Sequence, residues 1–256
     1  MPEPYNACVD LLDRHVQEGR GGRVAVRTPL DGRSLTYAEM LAEVEGVAAG
    51  LRVLGVQPEQ RVGLVLLDSV AYVAAFLGAM RIGAVPVPVN PLLPARDVAV
   101  ILADARARVA LVDSQRFDVD STDALRAGAP ELVTIVPSAD WDASFPSVVA
   151  GSDAAAPYPT WAESPGFWLC TSGSTGQPKL AMHRHTDLVA PARGYAREVL
   201  DITDRDVFWS VGPAFHAYGL GNSIAFPFSV GATTVLVPTR PPSPGLVPPG
   251  MGRLEQ

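Results

Sequence analysis

Lysine is nearly missing from this sequence. One stands in 256 residues, at position 179, against nineteen arginines. A chain that uses arginine wherever a generic positive charge would serve has kept one compact ammonium, chemically distinct from the planar guanidinium fork. Positive charge of either kind is in deficit, 20 basic residues against 27 acidic ones, for a net charge of -7. That is the wrong sign for a surface that neutralises a phosphate backbone, so nucleic acid is excluded as the expected partner. Cysteine is scarce: Cys8 and Cys170 lie far apart with no CxxC spacing and no Cys/His cluster. This excludes a disulfide framework, supports no zinc site, and fits a reducing cytoplasm. Long apolar runs are absent too, since the uncharged stretch from Ser69 to Met80 falls short of the ~18 residues that span a bilayer. The N-terminus, MPEPYNACVDLLDRH, carries acidic residues where a secretory signal needs a basic start and an apolar stretch. The expectation is a cytoplasmic chain with no membrane partner. What the sequence does have is core-forming material, 48% hydrophobic residues with 18% charged, enough for one large domain or two small ones.

Thr36-x-x-Glu39 is a capping-box pattern, and Met40, Leu41, Val44, Val47, Ala48, Leu51 and Leu54 follow at three- and four-residue steps up to Gly55. The spacing predicts an amphipathic helix with both ends marked. Strands are predicted at 62–67, 84–89, 109–112 and 132–136, separated by helices over 70–80, about 96–105 and near 122–127. Pro86 and Pro88 cannot donate ladder hydrogen bonds, which puts the second strand at an edge or leaves it partly paired. Four apolar runs separated by helices predict an α/β fold, doubly wound, with mostly parallel sheets and flanking helices. From Pro137 to Gly166 the composition turns to Ser, Ala, Pro, Asp and Gly, a long connection at a subdomain boundary. The alternation resumes with strands at 167–171, 207–211 and 233–237 and helices near 186–200 and 220–228. The expected organisation is a first α/β subdomain over 1–160, part of a second over 161–246, and a tail over 247–256. Residues 238–256 hold six prolines and three glycines with no apolar periodicity.

The chemistry concentrates in Thr171-Ser-Gly-Ser-Thr-Gly-Gln-Pro-Lys179, directly after the apolar strand Phe167-Trp-Leu-Cys170. Small residues at six consecutive positions let backbone N–H groups approach a ligand, and the hydroxyls add donors, a composition suited to phosphate oxygens. The alternative is an ordinary Gly/Ser surface loop; the only lysine of the chain favours the anion-binding reading. A Walker loop would need glycine where Pro178 stands. Ser172-x-Ser174-x-Gly176 lacks the first glycine of a hydrolase nucleophile elbow, and Pro178 obstructs the helix that should follow. His183 and His185 form an HxH pair, with His216 as a conceivable third metal ligand, yet no acidic or cysteine partner has suitable spacing.

TSGSTGQPK resembles the phosphate-binding signature of the adenylate-forming (AMP-binding) enzymes: acyl-CoA synthetases, firefly luciferases and nonribosomal adenylation domains. Leu35-Thr-Tyr-Ala-Glu39 and Arg81-Ile-Gly-Ala-Val-Pro-Val-Pro-Val-Asn90 resemble further motifs of that family. Phe215-His-Ala-Tyr-Gly-Leu-Gly-Asn222, Phe226-Pro-Phe-Ser-Val-Gly-Ala-Thr-Thr-Val235, Tyr5 to Arg14 and Met182-His-Arg-His185 are similar to its benzoate-CoA ligase branch. The resemblance runs from about residue 5 to about 246. It implies part of the N-terminal domain of the adenylate-forming fold and a two-step reaction. A carboxylate and ATP give an acyl-adenylate and pyrophosphate, and coenzyme A then displaces AMP. It further implies that Thr171, Ser172, Gly173, Ser174, Thr175, Gly176 and Lys179 hold the β- and γ-phosphates. The segment Phe215 to Gly221 would shape the acid pocket: His216 as aromatic gate, Ala217 and Tyr218 lining the aryl site, with Gly219 and Gly221. The implied ligands are ATP, Mg2+, coenzyme A and an aromatic carboxylic acid; the sequence says nothing of oligomeric state.

Leu180 stands where the family has glycine. No Y-G-x-T-E is present to supply the magnesium-binding glutamate, no later T-G-D to bind ribose, and no second lysine to stabilise the transferring carboxylate. The expectation is therefore a truncated aryl-CoA ligase with no complete catalytic set and no metal ligand, inactive alone and lacking the small C-terminal domain. The alternative is a non-catalytic binding module that retains a phosphate loop.

Overall fold

Local helix signals become helix ends in the structure, a computed structural model that describes residues 3–138, 156–171 and 178–238. The chain enters through a π-helical turn, Val9–Asp13, that runs into α1 (Arg14–Gln17), followed by β1 (Val24–Thr28) and β2 (Arg33–Thr36). Thr36 then starts α2 (Tyr37–Val53). Its Oγ1 accepts the Glu39 N–H at 3.2 Å while Glu39 Oε2 accepts the Thr36 N–H at 2.7 Å, the reciprocal pair that the T-x-x-E spacing predicts.

The four predicted apolar runs form one parallel sheet. β3 (Arg61–Val65), β4 (Val85–Pro88), β5 (Ala107–Val112) and β6 (Thr134–Pro137) lie in the order β4-β3-β5-β6. The connecting helices are α3 (Val70–Arg81), α4 (Ala95–Asp104) and α5 (Val119–Gly128). β4 is at the edge, as its two missing N–H groups require. α3 ends in a glycine turn: Ala84 N–H reaches Ala79 O at 2.9 Å and Gly83 N–H reaches Met80 O at 3.0 Å. Gly83 sits at φ 76°, and a Cβ there would lie 2.8 Å from the Tyr158 ring, so both backbone and packing demand glycine.

After the connection, of which residues 139–155 lie outside the described residues, come β7 (Pro165–Thr171) and β8 (Lys179–Arg184), paired antiparallel. Then follow α6 (His185–Pro191), a π-helical stretch Ala192–Val199, β9 (Val207–Trp209), α7 (Ala217–Leu220), a π-helical turn Gly221–Ala225, α8 (Phe226–Val230) and β10 (Thr233–Val235). The helix expected over 186–200 thus changes character at Pro191, which has no N–H to continue the ladder. The helix expected over 220–228 begins three residues earlier, and the last two strands are shorter than 207–211 and 233–237.

β1, β2 and β8 are absent from the sequence-based expectation. The first two belong to a second sheet, β2-β1-β10-β9, in which β1 pairs parallel with β10 and β10 with β9. This sheet draws strands from both sides of residue 160. The tail beyond residue 238 lies outside the described residues.

One buried ion cluster ties the N-terminal segment to the helices. Arg81 Nη1 donates to both Asp13 carboxylate oxygens at 2.8 Å and Nη2 to Glu45 Oε1 at 3.0 Å. All three residues are buried, so each charge depends on the others for the solvation that water no longer supplies.

Candidate functional site

The β7–β8 hairpin carries the most informative motif of the sequence. Thr171 and Lys179 are opposite each other in its ladder, and Thr171 Oγ1 donates to Lys179 O at 3.3 Å. The motif's two ends are thereby brought together, and both residues are exposed. Ser172, Gly173, Ser174, Thr175 and Gly176 lie outside the described residues. Lys179 borders a recess of about 470 Å³ whose opposite wall is α4, through Val100, Ile101 and Asp104.

Alternation along β7 anchors this hairpin. Phe167 and Leu169 face the main core, while Trp168 and Cys170 pack on the parallel sheet, Cys170 Sγ lying 3.7 Å from Pro88 O. Burial pushes the Cys170 thiol up to about 11, so it stays protonated and is a packing residue. The Phe167 ring stacks on His183 at 4.7 Å. Two residues on, His185 Nδ1 accepts the Ala7 N–H at 3.1 Å, and burial pulls its imidazole down to about 4. His183 and His185 are thus engaged with different partners, one a ring and one a backbone amide.

Next to the His183 ring is a cavity of about 180 Å³ between the hairpin and the helices. Phe167, Leu169, Leu188, Leu220 and Phe226 make it largely apolar, and Ala217 and Gly221 are on its wall. Tyr218 is not among its lining residues and stands 69% exposed beside Gly212. Gly219 is a close-approach position: a Cβ there would fall 2.0 Å from Pro213 O. His216 is exposed, extended at φ -116°, and caps α7; its N–H donates to Pro213 O at 3.0 Å and its ring meets Phe215 edge-on at 4.8 Å.

Two residues that sequence reading passed over hold this segment in place. Asp68 Oδ1 accepts the Ala214 N–H at 3.0 Å, and Tyr72 OH donates to Ala214 O at 2.7 Å. Both side chains are buried. One peptide residue, two positions before His216, is therefore gripped at its donor and its acceptor from the start of α3. The only sequence signal was Asp68 interrupting an otherwise apolar stretch.

Among the described residues no cluster of three or more His, Cys, Asp or Glu is placed to hold a metal ion. The donors among the described residues do not form a Mg2+ site. No helix of the described residues is long and apolar enough to cross a membrane.

Residues 12–248 match the AMP-binding enzyme family. The chain is 38% identical to a benzoate–CoA ligase of Thauera aromatica over 242 residues, 94% of this chain and 46% of that protein. It is 40% identical to a 4-hydroxybenzoate–CoA/benzoate–CoA ligase of Rhodopseudomonas palustris, over 93% of this chain and 44% of that protein. A benzoate CoA ligase structure from Burkholderia xenovorans superposes with a TM-score of 0.79 at 33% identity, covering 93% of this chain and 46% of the other. An anthranilate CoA ligase in complex with anthranoyl-AMP superposes with a TM-score of 0.83 at 31% identity, over 93% and 45% of the two chains. This chain spans about half the length of the relatives it matches.

Proposed function

The chain belongs to the AMP-binding enzyme family, and from that premise we propose that it is the phosphate-binding and acid-binding portion of an ATP-dependent aryl-CoA ligase. In this reading a carboxylate oxygen attacks the α-phosphorus of ATP, pyrophosphate leaves, and the thiol of coenzyme A then displaces AMP from the acyl-adenylate. The observation that carries it is one hairpin that pairs Thr171 with Lys179 and, through Phe167, Leu169 and His183, walls an apolar cavity shared with Ala217 and Gly221.

Each residue has a physical task. The hairpin holds together Thr171 and Lys179, the ends of the Ser/Gly/Thr segment; the donors this reading assigns to the β- and γ-phosphates are that segment's N–H groups and hydroxyls and the Lys179 ammonium, which offset charge as pyrophosphate departs. The cavity excludes water from the ring of the acid. An apolar cavity of about 150 Å³ accepts benzene, so the size here suits a single aromatic ring better than a long acyl chain. In this reading His216, exposed and held through the Ala214 clamp, takes the gate role next to Ala217 of the cavity wall.

Calorimetric titration of the 256-residue chain with ATP and with benzoate tests this reading. Saturable binding of both is expected, with ATP binding weakened by Lys179→Ala and benzoate binding by Gly221→Leu, which fills the cavity. Failure of both ligands to bind a folded chain would contradict it. Benzoate-dependent exchange of labelled pyrophosphate into ATP is not expected from residues 1–256 alone, because the motifs that resemblance assigns to magnesium and ribose are not among them.

A further inference from the structure

Away from the hairpin, three arginines from two separate parts of the chain border one cavity of about 250 Å³. Arg14 comes from the N-terminal helix, and Arg193 and Arg197 from the π-helical stretch after α6; Ser229 of α8 and Asp10 complete the wall. In a chain of net charge -7, this is a local concentration of positive charge. Its internal partners are few and shared. Arg14 Nη2 and Arg197 Nη2 both donate to the same carbonyl, Ser229 O, at 3.0 and 3.2 Å. Arg193 Nη2 donates to Asp10 Oδ2 at 2.7 Å, an oxygen that also accepts Tyr5 OH at 2.9 Å, while Arg14 Nε lies 3.2 Å from Asp10 Oδ1 and donates to Asp10 O at 3.0 Å. Glu18 stands 3.9 Å from Arg14 and is itself paired with Arg20.

Three guanidiniums therefore face one carboxylate inside the cavity. Like charges gathered against a neutral carbonyl repel one another, and the repulsion is relieved when an anion enters. Each fork is already held by a hydrogen bond, so little side-chain entropy remains to be lost on binding. Three forks from two segments suit a tetrahedral oxyanion with several acceptor oxygens better than a planar carboxylate, and the volume leaves room for a substituent on it.

We infer that this cavity is a binding site for a phosphate-bearing ligand, separate from the Thr171–Lys179 hairpin. Its source is either a free phosphate compound or a phospholipid headgroup, and the test has an arm for each. Inorganic phosphate is titrated calorimetrically into the full chain, with acetate as the planar control. Co-sedimentation is measured with phosphatidylcholine vesicles carrying phosphatidic acid. The double variant Arg193→Gln/Arg197→Gln removes two exposed charges without opening the core, and its melting curve establishes that it folds. Saturable phosphate or vesicle binding that falls by about tenfold or more in the double variant, and that Lys179→Ala leaves in place, is the expected result. Response to phosphate alone assigns a soluble ligand, and response to vesicles alone a headgroup. Equal binding by wild type and the double variant, loss of all binding in Lys179→Ala, preference for acetate, or no binding in either arm would overturn the inference.

Discussion

Lowering the pH from 7 to 5 should remove about 4 kcal/mol of stability through two buried histidines. His15 and His185 are both 0% exposed, and burial holds each imidazole down to about 4. His15 Nε2 lies 2.5 Å from Phe228 O, where it donates, leaving Nδ1 unpartnered beside Gly231. His185 Nδ1 is occupied by the Ala7 N–H, leaving Nε2 unpartnered. Neither ring has a place for a second proton with an acceptor to meet it. The unfolded chain takes up those protons near the ordinary histidine value of about 6.5. Between that value and about 4 the unfolded state holds more protons, so stability is full above the window and falls as pH drops through it. At pH 5 each histidine lies about 1.5 units below the unfolded value, worth about 2 kcal/mol at 1.36 kcal/mol per unit. Urea midpoints at pH 7, 6 and 5 measure the total, and His185→Gln, which keeps an acceptor for Ala7 but cannot be protonated, should lose about half of the pH dependence. A wild-type midpoint that stays flat over this range, or a variant with the full slope, would refute the reasoning. The carboxylates of Asp31, Glu39, Asp118 and Asp187 are held low by hydrogen bonds from Thr28, Thr36, Ser121 and Arg184. Their contribution is present above the ordinary carboxylate range and lost below it, outside the window tested.

Asp13→Ala leaves the Arg81 guanidinium buried with only part of its countercharge and should cost about 3–5 kcal/mol, read from chemical denaturation. Tyr72→Phe frees the Ala214 carbonyl, so about 1 kcal/mol of stability should go, and amide exchange should quicken over 213–221 while α2 keeps its protection. Gly219→Ala forces a Cβ into the Pro213 carbonyl; a melting temperature equal to the wild type's would show that the close approach is not required. Lys179→Ala is exposed and should leave stability within about 0.5 kcal/mol while weakening ATP binding.

Much of this architecture was legible because its causes are local. The capping box at Thr36, the four apolar runs and the edge placement of the double-proline strand each depend on a few neighbouring residues. β1 was harder, since its parallel partner β10 lies about two hundred residues away, although β10 itself was legible as an apolar run. β8 was passed over because Lys179–Arg184 has charged ends and leaves Met182 exposed, so no apolar face marks this half-exposed hairpin arm. In the candidate site, residue types marked the phosphate segment and the Phe215–Gly221 segment, but the grip of Asp68 and Tyr72 on Ala214 spans more than 140 positions and leaves no local trace. The apolar wall contributed by Phe167 and His183 is likewise a product of folding.

Under the proposed function, this chain supplies the phosphate and acid sites of an aryl-CoA ligase. The most direct test replaces the matching half of the Thauera aromatica benzoate–CoA ligase with residues 12–248 of this chain, the span that matches the family, and measures benzoate-dependent exchange of labelled pyrophosphate into ATP. Exchange is expected, and it should fall by about a hundredfold in the Lys179→Ala version. A cooperatively folded chimera without exchange, or one whose exchange is indifferent to Lys179, would contradict it.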